Sequence, residues 1–465
     1  MALAIVSTGA FALAAQAERA GSPTVHHASH AATTPVLSAR RVPTVIAAPI
    51  ADDRLHAQLD GLLAGSPGPA CLDVSVGGRM VFGHEQTTPV TPASLQKLVT
   101  GTVALATFGA DATLSTRVVV SARPDHNGVV DGDLYLVGGG DPLLMTDSFL
   151  AHLKHPPPER TDPGKLADAV VAAGIREVRG HIVGDESRFD SERYPPSWPT
   201  RFATEAESGP LSALTLDRGL DEYPPTPDTL LPKEHPADNP PLHAADVFAL
   251  LLAARGVNVG GGTANGVAPA GALEVASLPS APVKSLVAEM VRESDNTTAE
   301  LLTKELGVTT AGSGTTDAGV AAIRAKLQAL GFPVDNTVQI DGSGLSGDDR
   351  ETCALVSAVL ERDGATGPIS SGLPIAGETG TLEKRFLDLP VVGRLRAKTG
   401  SLNQVTALAG VLPTAHGVTV TFSYVLNLAK PAKVTDDDMK IQDDLVQILD
   451  TYPSGPDLAA LGPQP

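Results

Sequence analysis

Three short strings follow one another along the chain: Ser94-Leu-Gln-Lys97, Ser294-Asp-Asn296 and Lys398-Thr-Gly400. The first sets a hydroxyl and an amine three residues apart, on one face of a helix and a turn from each other. That is a nucleophile with a base beside it. The stretch Thr91 to Gly109 predicts the helix, with Thr91 as candidate N-cap, Pro92 in the first turn, and Leu95, Leu98, Val99 and Val103 as the apolar side. Ser94 then falls where unpaired backbone N–H groups collect, and its own amide is placed to stabilise an oxyanion.

A lysine serves as a base only when burial or a nearby positive charge lowers its pKa. Lys398 is the candidate for that charge. It leads, through Arg396 to Ser401, into an alternating stretch Val405 to Leu412, a turn at His416-Gly417, and Val418 to Leu426, which predicts a hairpin or meander. Gly400, having no side chain, is expected to let a substrate backbone lie against the strand edge. Lys398, Thr399 and Ser401 are then placed to hold a substrate carboxylate by charge-assisted hydrogen bonds.

Ser294-Asp-Asn296 falls between two helical patterns, one containing Val287, Met290 and Val291 and the other running from Thr298 to Leu306. A connection there projects Ser294 and Asn296 into a cleft, the hydroxyl to relay a proton and the amide to fix a lysine and a substrate carbonyl. A plain helix N-cap is the alternative, since Ser, Asp and Asn all favour that position. Each string is weak alone, and Ser401-Leu-Asn403 is a second Ser-x-Asn. Their order and company favour serine acyl transfer.

The three strings match the signature set of class A β-lactamases and penicillin-binding proteins. Further stretches narrow the resemblance: Leu136-Val-Gly-Gly-Gly-Asp-Pro142, Asp185-Glu-Ser-Arg-Phe-Asp190, Ser212-Ala-Leu-Thr, Asp341-Gly-Ser-Gly-Leu-Ser346 and Ala376-Gly-Glu-Thr-Gly-Thr-Leu382. With these, the chain resembles the D-alanyl-D-alanine carboxypeptidase/endopeptidase family, the class C low-molecular-mass penicillin-binding proteins of peptidase family S13, from about Asp53 to about Asp450. The resemblance implies an α+β fold: a serine penicillin-recognising catalytic domain split by a large, mostly β insertion. It implies action on peptidoglycan stem peptides ending in D-Ala-D-Ala, or on the cross-link from D-Ala to diaminopimelate, with β-lactams as inhibitors and no cofactor or metal.

By motif, Ser94 is the nucleophile, Lys97 the base, and Ser294 with Asn296 the relay. Lys398 and Thr399 contact the substrate carboxylate, and the Ser401 amide joins that of Ser94 in an oxyanion hole. Relatives place an acidic loop over the site, so Asp185 is expected to pair with a diaminopimelate amine. An ordinary turn plugged by Phe189 is the other reading of that loop. A β-lactamase is a rival function, against which the chain lacks the Glu-x-x-Leu-Asn string that supplies the class A deacylation base. A non-catalytic wall-bound scaffold is a second rival, against which all three strings are intact.

Composition agrees with an exported globular protein. The 465 residues suffice for two or three domains, and a net charge of −19 argues against nucleic acid and anionic membrane surfaces as partners. Residues 1–17 read as a signal peptide ending in Ala15-Gln-Ala17, although no Lys or Arg precedes the apolar run; an uncleaved anchor is the alternative. The expected location is periplasmic, cell-wall or extracellular. Residues 18–50 read as a linker whose His26, His27 and His30 form a solvated tail, without the spacing of a metal site. The catalytic domain is expected at 51–110 and 284–450, the insertion at 111–283, and a loose tail at 451–465. In the Pro-rich stretch between Leu216 and Ala237, a third subdomain is expected to be reduced or absent. Cys71 and Cys353 invite one disulfide, with two buried thiols as the alternative.

Overall fold

The computed structural model describes residues 38–456 and Leu461. The expected signal peptide, the histidines of the linker and most of the last nine residues lie outside the described residues.

The catalytic sheet has five antiparallel strands, β1 (Ala70–Val76), β2 (Arg79–His84), β3 (Arg396–Leu402), β4 (Val405–Pro413) and β5 (Thr419–Asn427), in the order β3-β4-β5-β1-β2. Its alternation feeds two cores. Val405, Ala407, Ala409 and Val411 of β4 join one apolar cluster, while Leu408 and Leu412 join the other. Such period-two patterning on a central strand requires cover on both faces. On one face lie helices α2 (Gln96–Phe108), α3 (Val283–Glu293), α4 (Asn296–Ala311) and α5 (Cys353–Asp363). On the other lie residues 51–64 of α1 (Pro43–Ala64) and helix α6 (Asp436–Asp450).

Two expectations at the chain's ends are corrected. Helix α1 begins inside the segment read as linker, because Pro43 occupies its first turn, where no N–H is needed. Farther along, Ala51, Leu55, Leu59 and Leu63 recur every four residues and are buried. At the other end Tyr452 is no loose tail. It packs in the second core, and its hydroxyl donates to Asp52 at 2.6 Å.

The segment between α2 and α3 builds sheets of its own. Five strands order as Thr263–Asn265, Ile182–Asp185, Leu134–Val137, Ser115–Val120 and Leu273–Pro279, packed with helices Pro163–Ala172 and Pro240–Ala253 around a separate core. Between Leu216 and Ala237 there is a short helical turn and a two-stranded pairing of Leu220–Glu222 with His235–Pro236. Among the described residues no helix is long and apolar enough to cross a membrane.

Cys71 on β1 is bonded to Cys353, the first residue of α5, with both side chains buried and a sequence separation of 282. Closing a loop of that length restricts the unfolded chain strongly. Replacing both cysteines by alanine is expected to lower the unfolding free energy by about 2–5 kcal/mol, measured by urea melts, with the reduced parent moving toward the variant.

Candidate active site

The turn bearing Ser94 differs from the expected helix start. Ala93–Leu95 form a 3-10 turn and the α-helix begins at Gln96. Thr91 does not cap it: the Asn427 side chain pins Thr91, accepting from its N–H at 2.8 Å and donating to its carbonyl at 3.1 Å. Ala93 has φ 48°, in the left-handed region that non-glycine residues seldom enter. Its neighbours are cut to fit. A Cβ on Gly344 would lie 1.9 Å from the Ala93 carbonyl oxygen, and one on Gly400 would lie 2.9 Å from that of Pro92. Gly400 therefore makes room for the turn that carries Ser94.

Lys97 is wholly buried in the first turn of α2. Its Nζ lies 2.9 Å from Ser94 Oγ and donates to Asn296 Oδ1 and to the Ser343 carbonyl, both at 2.7 Å. A neutral amine has two N–H donors and one lone pair, so with the two oxygens taking the donors the lone pair is left for the Ser94 hydroxyl. Burial lowers the Lys97 pKa to about 8, against the opposing pull of Asp341, Glu300, Asp295 and Asp349. Glu300 is itself pushed up to about 8, by burial and then by Asp341. The expected effect of Lys398 on Lys97 runs the other way. Burial first, and then the charge of Lys97, hold Lys398 well below its ordinary value.

Lys398, also fully buried, donates from Nζ to Ser294 Oγ at 2.8 Å and to the Thr399 carbonyl at 2.7 Å. Ser294 closes α3 in left-handed backbone, φ 58° and ψ 33°, and Asp295 caps α4 by accepting from Thr298 N–H. The capping alternative is thus true of Asp295, while Ser294 and Asn296 on either side face the lysines. Thr399 and Ser401 line the same cleft of about 520 Å³ as Ser94, Ser294 and Asn296. Thr399 donates to Thr381 Oγ1 at 2.9 Å. Strand β3 is a sheet edge, so alternate backbone groups face away from β4.

Asp185 is not brought to the cleft. It is buried at the end of its strand, where its carboxylate accepts from Ser187 N–H and Ala268 N–H, both at 2.8 Å. The rest of that loop docks on α4: Arg188 pairs with Glu305, Asp190 with Lys304, and Phe189 packs against Leu211, Ala213 and Leu301. Besides Asp295, the acidic groups at the cleft are Glu205, Glu207 and Glu293. Sequence reading missed them because Glu205 and Glu207 lie outside every recognised string, although Glu293 directly precedes Ser294. Ser343, whose carbonyl meets Lys97, lay in a string already noted, Asp341 to Ser346, which carried no assigned role.

The model of the D-Ala-D-Ala carboxypeptidase 3 (S13) family matches residues 71–228 and 225–452. The chain belongs to that family. It is a serine-type D-Ala-D-Ala carboxypeptidase. It is 30% identical over 422 residues to the D-alanyl-D-alanine carboxypeptidase of Actinomadura sp. strain R39, covering 75% of this chain and 76% of that one. To the carboxypeptidase DacB of Mycolicibacterium smegmatis it is 30% identical over 416 residues, covering 86% and 82%. In fold it is similar to penicillin-binding protein 4 of Haemophilus influenzae, with a TM-score of 0.70 at 22% identity over 85% of this chain and 99% of that one.

The state of Lys97 gives a pH test with a definite sign. Below a pKa of about 8 the amine is protonated and cannot take the Ser94 proton; above it the lone pair is free. The rate of acylation by benzylpenicillin is expected to rise with pH through about 8 and then level off. Single-turnover rates from neutral to mildly alkaline pH check this, the apparent midpoint belonging to the lysine pair. A rate that is flat or falling over that range counts against Lys97 as the base.

Proposed function

We propose that the protein is a DD-carboxypeptidase and DD-endopeptidase of peptidoglycan, working outside the cytoplasmic membrane through an acyl-enzyme on Ser94. The observation that carries this reading is the 2.9 Å contact between Ser94 Oγ and the Nζ of a fully buried lysine whose pKa is lowered to about 8. Ser94 Oγ attacks the D-Ala carbonyl as its proton passes to Lys97. The amides of Ser94 and Ser401 take the oxyanion. The proton held on Lys97 then passes to the leaving amine by way of the Ser294 hydroxyl, which Lys398 holds at 2.8 Å, and Lys97 returns to its neutral form. Water then attacks the ester, with Lys97 again the base.

Both activities fit one binding mode. In a D-Ala-D-Ala terminus and in a D-Ala to diaminopimelate cross-link, the scissile amine sits on a carbon that bears a free carboxylate. Lys398 and Thr399 take that carboxylate in either case. At the cleft Glu205 pairs with Arg201 and Glu293 with Arg292, so Glu207 is the carboxylate that favours a substrate bearing a cationic side chain, a role expected of Asp185 from the sequence.

A β-lactam presents its carbonyl as the scissile amide does, but its amine stays tethered. Benzylpenicillin is therefore expected to add once, on Ser94, seen by intact mass and peptide mapping, and Ser94→Ala to abolish the adduct. A stable adduct elsewhere, or none on folded protein, would refute the assignment, and digestion of purified muropeptides then measures the two activities. Lys398→Ala is expected to lower kcat/KM about tenfold to hundredfold for a peptide with a free C-terminal carboxylate, and much less for its amide. Equal losses on both remove the carboxylate role.

A further inference from the structure

The turn that carries Ser294 and Asn296 is braced from outside the catalytic sheet. Ser294 holds left-handed backbone, which a residue with a side chain keeps only when its surroundings over-determine it. One brace is local: Asp295 Oδ1 accepts from Thr298 N–H at 2.5 Å. The other comes from Arg218, more than seventy residues earlier, in the segment between α2 and α3. Its Nε lies 3.0 Å from Asp295 Oδ2, a charge contact rather than an aligned hydrogen bond. Its Nη2 reaches Glu289 Oε1 at 3.5 Å. Glu289 is in the last turns of α3 and Asp295 caps α4, so one guanidinium spans both sides of the catalytic turn.

Arg218 is itself held tightly. Asp217, Arg218 and Gly219 all have positive φ, at 54°, 56° and 80°. The buried Asp217 carboxylate fixes the run by accepting from Thr146 N–H at 2.7 Å, Thr146 Oγ1 at 2.8 Å and the Tyr223 hydroxyl at 3.0 Å. The Arg218 carbonyl presses on Gly209, where a Cβ would lie 1.8 Å away. Gly209 N–H in turn donates to Thr297 Oγ1 at 2.9 Å, one residue past Asn296. The guanidinium, 18% exposed, meets carboxylates that are 7% and 2% exposed, so screening by solvent is weak.

We propose that Arg218 is a positioning residue for acyl transfer, locking the Ser294–Asn296 turn so that Ser294 meets Lys398 and Asn296 meets Lys97. This rests on the reading of Ser94 as nucleophile. Arg218 does not touch the reacting atoms. Its loss should spare initial binding and slow the chemical step, since small misplacements of a catalytic group have large effects on rate.

The test uses the full chain and benzylpenicillin, separating the dissociation constant of the first complex from the acylation rate constant. Arg218→Met is expected to lower the rate constant about tenfold or more, with the dissociation constant changed by less than about twofold. Arg218→Lys, which keeps a charge between the two carboxylates, is expected to recover part of that rate. Asp295→Asn keeps an N-cap acceptor and removes the partner charge, so it should show a similar loss, and the double variant should not add the two losses. Arg218→Met acylating at the parent rate, or losing rate only in proportion to its unfolded fraction, overturns the proposal. If Arg218→Met does not fold, Asp295→Asn alone decides, and parent-like acylation by it is equally fatal. A parent that is not acylated at all overturns the Ser94 reading and this proposal together, whereas an acylated parent with unaffected variants overturns only the role of Arg218.

Discussion

Two ammonium groups buried in one small site are the constraint around which the rest is arranged. Neither Lys97 nor Lys398 is exposed, and the charge of Lys97 adds to the burial that lowers the pKa of Lys398. A low-dielectric pocket tolerates them only if their protons are accepted by fixed oxygens and at least one amine gives up its charge. The Ser343 carbonyl, Asn296 Oδ1, Ser294 Oγ and the Thr399 carbonyl supply those oxygens at 2.7–2.8 Å. Lys97, whose pKa burial lowers to about 8, lies 2.9 Å from the Ser94 hydroxyl. What would be a defect in an ordinary core is here the source of reactivity.

Such oxygens must be aimed, and the backbone is bent to aim them. Ala93 and Ser294 both occupy left-handed conformations, one immediately before Ser94 and the other at the hydroxyl that meets Lys398. Close contact with Gly344 and Gly400 holds the first. Asp295 holds the second from within the chain's own helix cap. The carbonyl of Ser343 is fixed by the loop around Asp341, whose carboxylate accepts from the amides of Ser343, Gly344 and Ser346 and from the indole of Trp198. Trp198 and Arg218 both belong to the 111–283 segment, so residues far from the three strings in sequence support the groups those strings contribute.

The three strings made the site's members legible because each chemical role needs a particular residue type at short spacing. The hairpin of β4 and β5 was legible for a similar reason, alternation over nine residues being a strong periodic signal. What sequence reading lost were properties set by distant neighbours. Gly400 reads as space for a ligand, and its closeness to the Pro92 carbonyl is not visible in the sequence. Asp185 reads as a free carboxylate until Ala268 N–H is found on it. Pro43 reads as linker composition until residues 51–63 show a buried face. In each case a residue's type was informative and its partner, tens or hundreds of positions away, decided what it did.

The strand order carries a consequence for how the molecule comes into being. β1 and β2 lie near the start of the chain, and β3, β4 and β5 near its end, yet β1 pairs along its length with β5. Until some 350 intervening residues have been made, β1 has one open flank and the catalytic sheet cannot close. A chain moving through a translocation channel would emerge with this half-sheet unpartnered, exposing the alternating apolar side chains of Cys71 to Val76. The 111–283 segment, whose strands pair among themselves, needs no such wait. Residues that later brace the catalytic turn can therefore take their folded places before the catalytic sheet closes.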